Sequence, residues 1–216
     1  MPVGSIALLV VAVLIYFGVA HRVLDRMRLD DRTALAFVVA MIIGSFLNFT
    51  LLTRPVELLV NVGGGLVPIV LAVYLVVTAD EAREKTRAVL AMLVTGAAVY
   101  GTAKILPPEP TQNFLIDPTF IFAAIAGITG YLAGRSRRSS FIAGSTGIVL
   151  ADLAQLAELL FRGIPGRTWI GGAGAFDSVV LAGIIAVLLA ELVGETREKL
   201  QGGARQPSGK GGEGSG

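Results

Sequence analysis

The apolar residues of this chain come in long blocks rather than in periodic stripes. A hydrocarbon layer about 30 Å thick takes roughly 20 apolar residues as helix, because a backbone group left unpaired in lipid is too costly. A window of that width finds seven candidate spans: Ser5–Ala20, Thr33–Thr53, Val56–Thr78, Ala88–Leu106, Thr119–Gly134, Ser140–Phe161 and Ile170–Val193. The expected fold is therefore all-α, a polytopic transmembrane helical bundle of about seven helices filling residues 1–200. The balance of 54% apolar to 16% charged residues is unlike that of an ordinary soluble domain.

Charge then orients the bundle. Fourteen of the eighteen Lys and Arg residues fall in alternate connections or the tail: Arg22, Arg26, Arg28 and Arg32; Arg83, Lys85 and Arg87; Arg135, Arg137 and Arg138; Arg197, Lys199, Arg205 and Lys210. The other side carries only Arg54, Lys104, Arg162 and Arg167. Excess positive charge stays cytoplasmic, so a multi-pass protein of the cell membrane is expected, with its N-terminus outside and its C-terminus in the cytoplasm. The sequence pI near 9.1 then reflects loops anchored at anionic lipid, with the bilayer and not nucleic acid as partner. Ser5–Ala20 reads as a span, not a signal peptide, since no basic segment precedes it and four arginines follow. Residues 201–216 are Gly-rich and aperiodic, the composition of a disordered tail. The absence of cysteine removes disulfides, thiolate metal sites and cysteine nucleophiles together, and neither a metal nor another cofactor is expected.

Inside the spans, two stretches look alike. Asn61-Val62-Gly63-Gly64-Gly65 opens one glycine-broken helix, and Trp169-Ile170-Gly171-Gly172-Ala173-Gly174 opens another. Gly44–Asn48 and Ala151–Gln155 lie upstream of them at matching distances, which suggests a three-one-three parallel repeat with the fourth helix as linker. Asp152 and Asp177 demand most explanation, since a carboxylate within a span costs about 2.5 to 3.5 kcal/mol on insertion scales. By helical rise they lie roughly 13 Å and 12 Å below the outer boundary, at matching depth on consecutive antiparallel helices. Asn48, Asn61 and Gln155 reach a similar level, with Ser145 on the Asp152 face. Together with Gly63, Gly64, Gly171 and Gly172 they outline a polar cavity in the outer half of the membrane, made by the second, third, sixth and seventh helices. Glu57, Glu158, Lys104 and Glu191 lie near helix ends, where long side chains snorkel. His21 falls in a basic loop, Trp169 suits an interfacial belt, and Asp117-Pro118 starts a helix.

At Asn61-Val62-Gly63-Gly64, Pro68, Asp117-Pro118, Ala151-Asp152-Leu153 and Gly171-Gly172-Ala173-Gly174-Ala175-Phe176-Asp177, the chain resembles a prokaryotic membrane-protein family called domain of unknown function 1614. The resemblance covers most of residues 33–193 and implies a polytopic membrane protein without naming an activity. The three-one-three layout looks like that of sugar transporters built on triple-helix repeats. Gly172–Asp177 with Asp152 is similar to the Gly-x-Gly-Asp arrangement of intramembrane aspartyl proteases, although here the aspartate follows the second glycine by three residues instead of one.

Two functions and a third, structural role follow as expectations. The first is a small-solute or ion-coupled transporter, with Asp152 and Asp177 binding a proton or cation and Asn48, Asn61 and Gln155 helping to hold the solute. The alternative is an aspartyl protease with Asp152 and Asp177 as its catalytic pair. The third is an assembly or scaffold protein, an oligomer among its forms, whose polar residues only join helices.

Overall fold

The computed structural model describes Met27, residues 29–105 and residues 117–202. The first candidate span Ser5–Ala20, with His21, Arg22, Arg26 and Arg28, lies outside the described residues, as does the tail from 203 on.

The described residues are mostly helical. α1 is Asp31–Gly44, α2 Val67–Val77, α3 Ala82–Ile105, α4 Pro118–Gly134, α5 Arg137–Arg162 and α6 Ser178–Gly202. Three candidate spans form uninterrupted helix as expected: the fourth (α3), the fifth (α4) and the sixth (α5). The other three described spans correct the all-α expectation, because each is part strand. Thr33–Thr53 holds α1 followed by β1 (Asn48–Leu52). Val56–Thr78 holds β2 (Val56–Asn61), a π-helical turn (Val62–Leu66) and α2. Ile170–Val193 is entered from β3 (Gly166–Ile170) through a 3-10 turn (Gly174–Phe176) into α6.

The reason lies in backbone pairing. A strand can meet its hydrogen-bonding needs beside other strands, so an apolar stretch of five or six residues need not be helical where protein or water meets the outer edges of the sheet. β1 pairs antiparallel with β2, Asn48 opposite Asn61, and β2 pairs parallel with β3, Val56 opposite Gly166 through Val60 opposite Ile170. The sheet order is β1-β2-β3. This three-stranded arrangement gives no support to the seven-helix count or to the three-one-three repeat.

α5 is the axis of the molecule and packs on α3, α4 and α6. Small residues bring the helices close, as expected where apolar solvent outside offers no hydrophobic gain. A Cβ on Gly130 would stand 2.7 Å from the nitrogen of Gly144, and one on Gly144 would stand 2.8 Å from the Ala182 carbonyl. One apolar cluster gathers Met41, Leu75, Phe141 and Val187; another, nearer the sheet, gathers Val56, Val99, Ile148 and Val179. The outer faces are apolar too. Ile43, Val77, Leu132 and Leu192 are each more than 60% exposed (61, 68, 61 and 62%), a surface that water would not tolerate over so many helices.

α3, α5 and the Ser178–Arg197 part of α6 have 24, 26 and 20 residues, and each holds an 18-residue stretch of mean hydropathy 1.6, 1.4 and 2.1 respectively, long and apolar enough to cross a membrane. The chain is a membrane protein.

Candidate functional site

The two glycine-broken starts lie against each other. α1 ends at Gly44, where Ser45 bonds its hydroxyl back to the Met41 carbonyl (2.6 Å) and the chain turns into β1. β2 returns to Asn61, and Gly63, Gly64 and Gly65 pass behind it. A Cβ on Gly63 would fall 2.0 Å from the Met41 carbonyl oxygen, and one on Gly64 would fall 2.3 Å and 2.4 Å from the carbonyl oxygens of Gly174 and Gly171. Gly171 and Gly174 have φ of +73° and +63°, a region glycine enters without strain. Only residues without side chains allow this backbone-on-backbone contact.

Asn61 holds the crossing together. It is 1% exposed; its Oδ1 accepts from the Gly64 N–H (2.8 Å), and its Nδ2 donates to the carbonyls of Ser45 (2.9 Å) and Leu47 (3.2 Å) and to Asn48 Oδ1 (2.9 Å). Asn48 and Asn61 are thus brought together, but Asn61 is saturated by bonds that close a turn rather than by any open to a solute. Sequence reasoning missed Ser45 as a bridge: its hydroxyl also accepts from the Ala175 N–H (2.9 Å), joining α1 to the approach of α6. The signal was present in Gly44-Ser45 at the end of an apolar run.

Asp177 stands where the 3-10 turn gives way to α6. Its Oδ2 accepts from the Ala173 N–H (3.2 Å), and its Oδ1 from the Val179 N–H (3.0 Å) and the Ser178 hydroxyl (3.2 Å). It is 9% exposed and caps the helix, satisfying N–H groups that would otherwise lack partners. Asp152, on α5, is half-buried, and no hydrogen bond to it is made among the described residues. It lies near enough to Asp177 for the two carboxylates to interact electrostatically. The two carboxylates therefore have unlike surroundings, one saturated with donors and one without any. Gln155, one turn along α5 from Asp152, is exposed.

The charges near the span ends are paired rather than merely extended toward water. Glu158 accepts from the Tyr100 hydroxyl (2.6 Å), from Lys104 and from Arg162 (3.0 Å), tying α3 to α5. Glu57 meets Arg167 at 2.7 Å across the β2–β3 ladder, and Glu191 meets Arg137 between α6 and α5. Trp169 is 43% exposed, with its ring against Gly172, where a Cβ would fall 2.7 Å from the indole. Asp117 caps α4 through the Thr119 N–H (2.8 Å), and hydrogen bonding by Thr119 holds its carboxyl below the usual carboxylate range.

No curated protein and no solved structure matches the chain. The family described as protein of unknown function (DUF1614) matches residues 14–189, most of the chain's length, and the chain belongs to that family.

Proposed function

We propose that the chain is a small ion-coupled carrier in which Asp152 binds and releases a proton or a cation. The observation that carries this reading is the contrast between the two aspartates: Asp177 is saturated by three donors, whereas Asp152 lies within a spanning helix with no hydrogen bond among the described residues. A bare carboxylate in that setting is neutralised by a proton or balanced by a cation. Asp177 stays in place as a helix cap beside the exchanging group. The end of the molecule carrying Arg135, Arg137 and Arg138 faces the cytoplasm in this reading, and the sheet faces outward.

The test is proton and cation flux in sealed liposomes. Wild-type protein is expected to exchange ions above the empty-liposome background, Asp152→Asn to abolish exchange, and Asp177→Asn to slow it. Well-folded wild-type protein that gives no flux in either orientation sinks the carrier.

A second reading, the intramembrane aspartyl protease, is favoured by one further feature. All five residues of β1 are exposed at an edge of the sheet, and an open strand edge is how extended peptides are bound by main-chain pairing. One aspartate would then activate water and the other protonate the scissile carbonyl. Cleavage of an unfolded membrane peptide, blocked by an aspartyl transition-state inhibitor and lost in both Asp→Asn variants, is the result expected of that reading.

A further inference from the structure

α3 and the end of α4 leave a groove between them that the aspartate pair does not use. It arises from side-chain size. Ala91 is buried on α3 and Ala133 lies in the last turn of α4, while Leu90 and Val94 stand beside them, 57% and 56% exposed. The short side chains make the floor and the long ones the wall. Arg83, Thr86 and Arg87 complete the lining of a cavity of about 370 Å³. That lies at the low end of small-molecule sites, which run from about 300 to 1,000 Å³.

The sequence of α3 sets the level of this groove in the membrane. From Ala88 to Ala103 the helix carries no charge, whereas Arg83, Glu84, Lys85 and Arg87 precede that stretch. Arg87 therefore stands at the boundary of the hydrocarbon layer, and Val94, one turn beyond Leu90, lies roughly 10 Å deeper by helical rise. A groove so placed meets headgroups at its arginine end and acyl chains along Leu90 and Val94.

Charge decides which lipid suits it. Arg83 and Arg87 are one helical turn apart on one face, both exposed, and neither makes an ion pair among the described residues. Like charges at that spacing repel unless an anion lies against them. Their neighbours do not supply one. Glu84 accepts from the Ser136 hydroxyl (3.1 Å), on the side of α5, and Lys85 donates to the Val77 carbonyl (3.4 Å). Glu81 precedes the helix, and the Thr86 hydroxyl bonds back to the Ala82 carbonyl (3.0 Å), which leaves two guanidinium groups as the polar end of the groove. Their planar donor forks match phosphate oxygens, and the positive end of the α3 dipole adds to their field. A zwitterionic headgroup would bring a cation of its own against them, whereas an anionic headgroup brings none.

We propose that this groove holds an anionic phospholipid, its phosphate bridging Arg83 and Arg87 and one acyl chain lying along Leu90 and Val94 over Ala91 and Ala133. The inference is independent of any role for Asp152 and of the direction in which the chain crosses the membrane.

The experiment uses the whole purified chain in neutral detergent. Retained lipid is measured by native mass spectrometry with phosphatidylglycerol or phosphatidylcholine of the same acyl chains added, and the melting temperature of each variant without lipid checks its fold. Phosphatidylglycerol is expected to be retained and phosphatidylcholine not. Arg83→Gln and Arg87→Gln, both exposed substitutions, are each expected to weaken phosphatidylglycerol binding roughly tenfold, as the loss of one charge-assisted bond would, and the double variant to abolish retention. Arg135→Gln removes an equal charge outside the groove and is expected to change nothing. Ala133→Leu fills the groove without touching its charge and is expected to weaken retention. Equal retention of the two phospholipids, a double variant that binds as the wild type does, or Arg135→Gln weakening binding as much as Arg83→Gln overturns the proposal. Displacement of phosphatidylglycerol by millimolar inorganic phosphate, with Ala133→Leu binding normally, overturns it as well, since the ion alone would then account for the site.

Discussion

Between α3 and α5 one close approach sets a glycine against a side chain: a Cβ on Gly96 would meet the Leu150 Cδ2 at 2.8 Å. Between the π-helical turn and the 3-10 turn it sets backbone against backbone, since a Cβ on Gly64 would meet two carbonyl oxygens at 2.3 Å and 2.4 Å. The first contact can yield, because a leucine tip changes rotamer. The second cannot, because carbonyl groups are fixed by the chain around them. The contact of Gly96 with Leu150 is therefore adjustable, whereas the crossing of α1, β2 and β3 is held to one geometry, as are the backbone contacts of Gly130 and Gly144 in the helical bundle.

Variants can break that contrast at several places, and their expected effects fall in order. Gly64→Ala is expected to cost most, about 3 kcal/mol or more, seen as loss of the thermal transition or of folded yield in detergent. Asn61→Ala comes next, at about 2 to 4 kcal/mol, since the buried Gly64 N–H and two carbonyls lose their partner at once. Asp177→Ala should lower stability by about 1 to 2 kcal/mol through loss of the α6 cap, while Asp152→Asn should leave the melting temperature unchanged or raise it. Equal destabilisation by those two substitutions would show that Asp152 is as structural as Asp177 and would remove the asymmetry on which the carrier rests. Gly96→Ala is expected to cost least, about 1 kcal/mol, with Leu150 turning aside. A cost for Gly96→Ala as large as that of Gly64→Ala would erase the distinction between the two contacts.

The same contrast explains what could be read from the sequence. α3, α4 and α5 are blocks whose apolarity and helicity coincide, so a hydropathy window found them within a few residues. Asn48–Leu52 and Val56–Asn61 are equally apolar, but hydropathy reports transfer into lipid and says nothing about which conformation pairs the backbone. The partner that makes β2 a central strand is β3, some 110 residues later, and no local pattern announces it. Local hints did exist in the Phe49-Thr50 and Val56-Glu57 stretches flanking Thr53-Arg54-Pro55, a turn between two short runs. Of the candidate site, the depth read for Asp177 assumed helix from Trp169 onward, where the chain is strand and 3-10 turn, but the placing of Asp152 and Asp177 within apolar blocks was legible. The division of labour between them was not, because capping depends on a 3-10 turn that no window shows. Asn61 was rightly singled out as buried and polar, but its four bonds serve the crossing, and Gln155, one turn along α5 from Asp152, is exposed.

The parallel pairing of Val60 with Ile170 also sets the order in which the protein can be completed during synthesis. At about 5 to 20 residues per second, roughly 5 to 20 seconds separate the emergence of β2 from that of β3. Over that interval β2 has only the β1 hairpin beside it, and Gly64 has no carbonyls of Gly171 or Gly174 to rest on. The capped aspartate, the crossing and the second strand pairing are thus assembled together and late, once the segment containing α5 has been made. A chain truncated before Gly166 would carry every apolar span of its first half yet have nothing to close the sheet on.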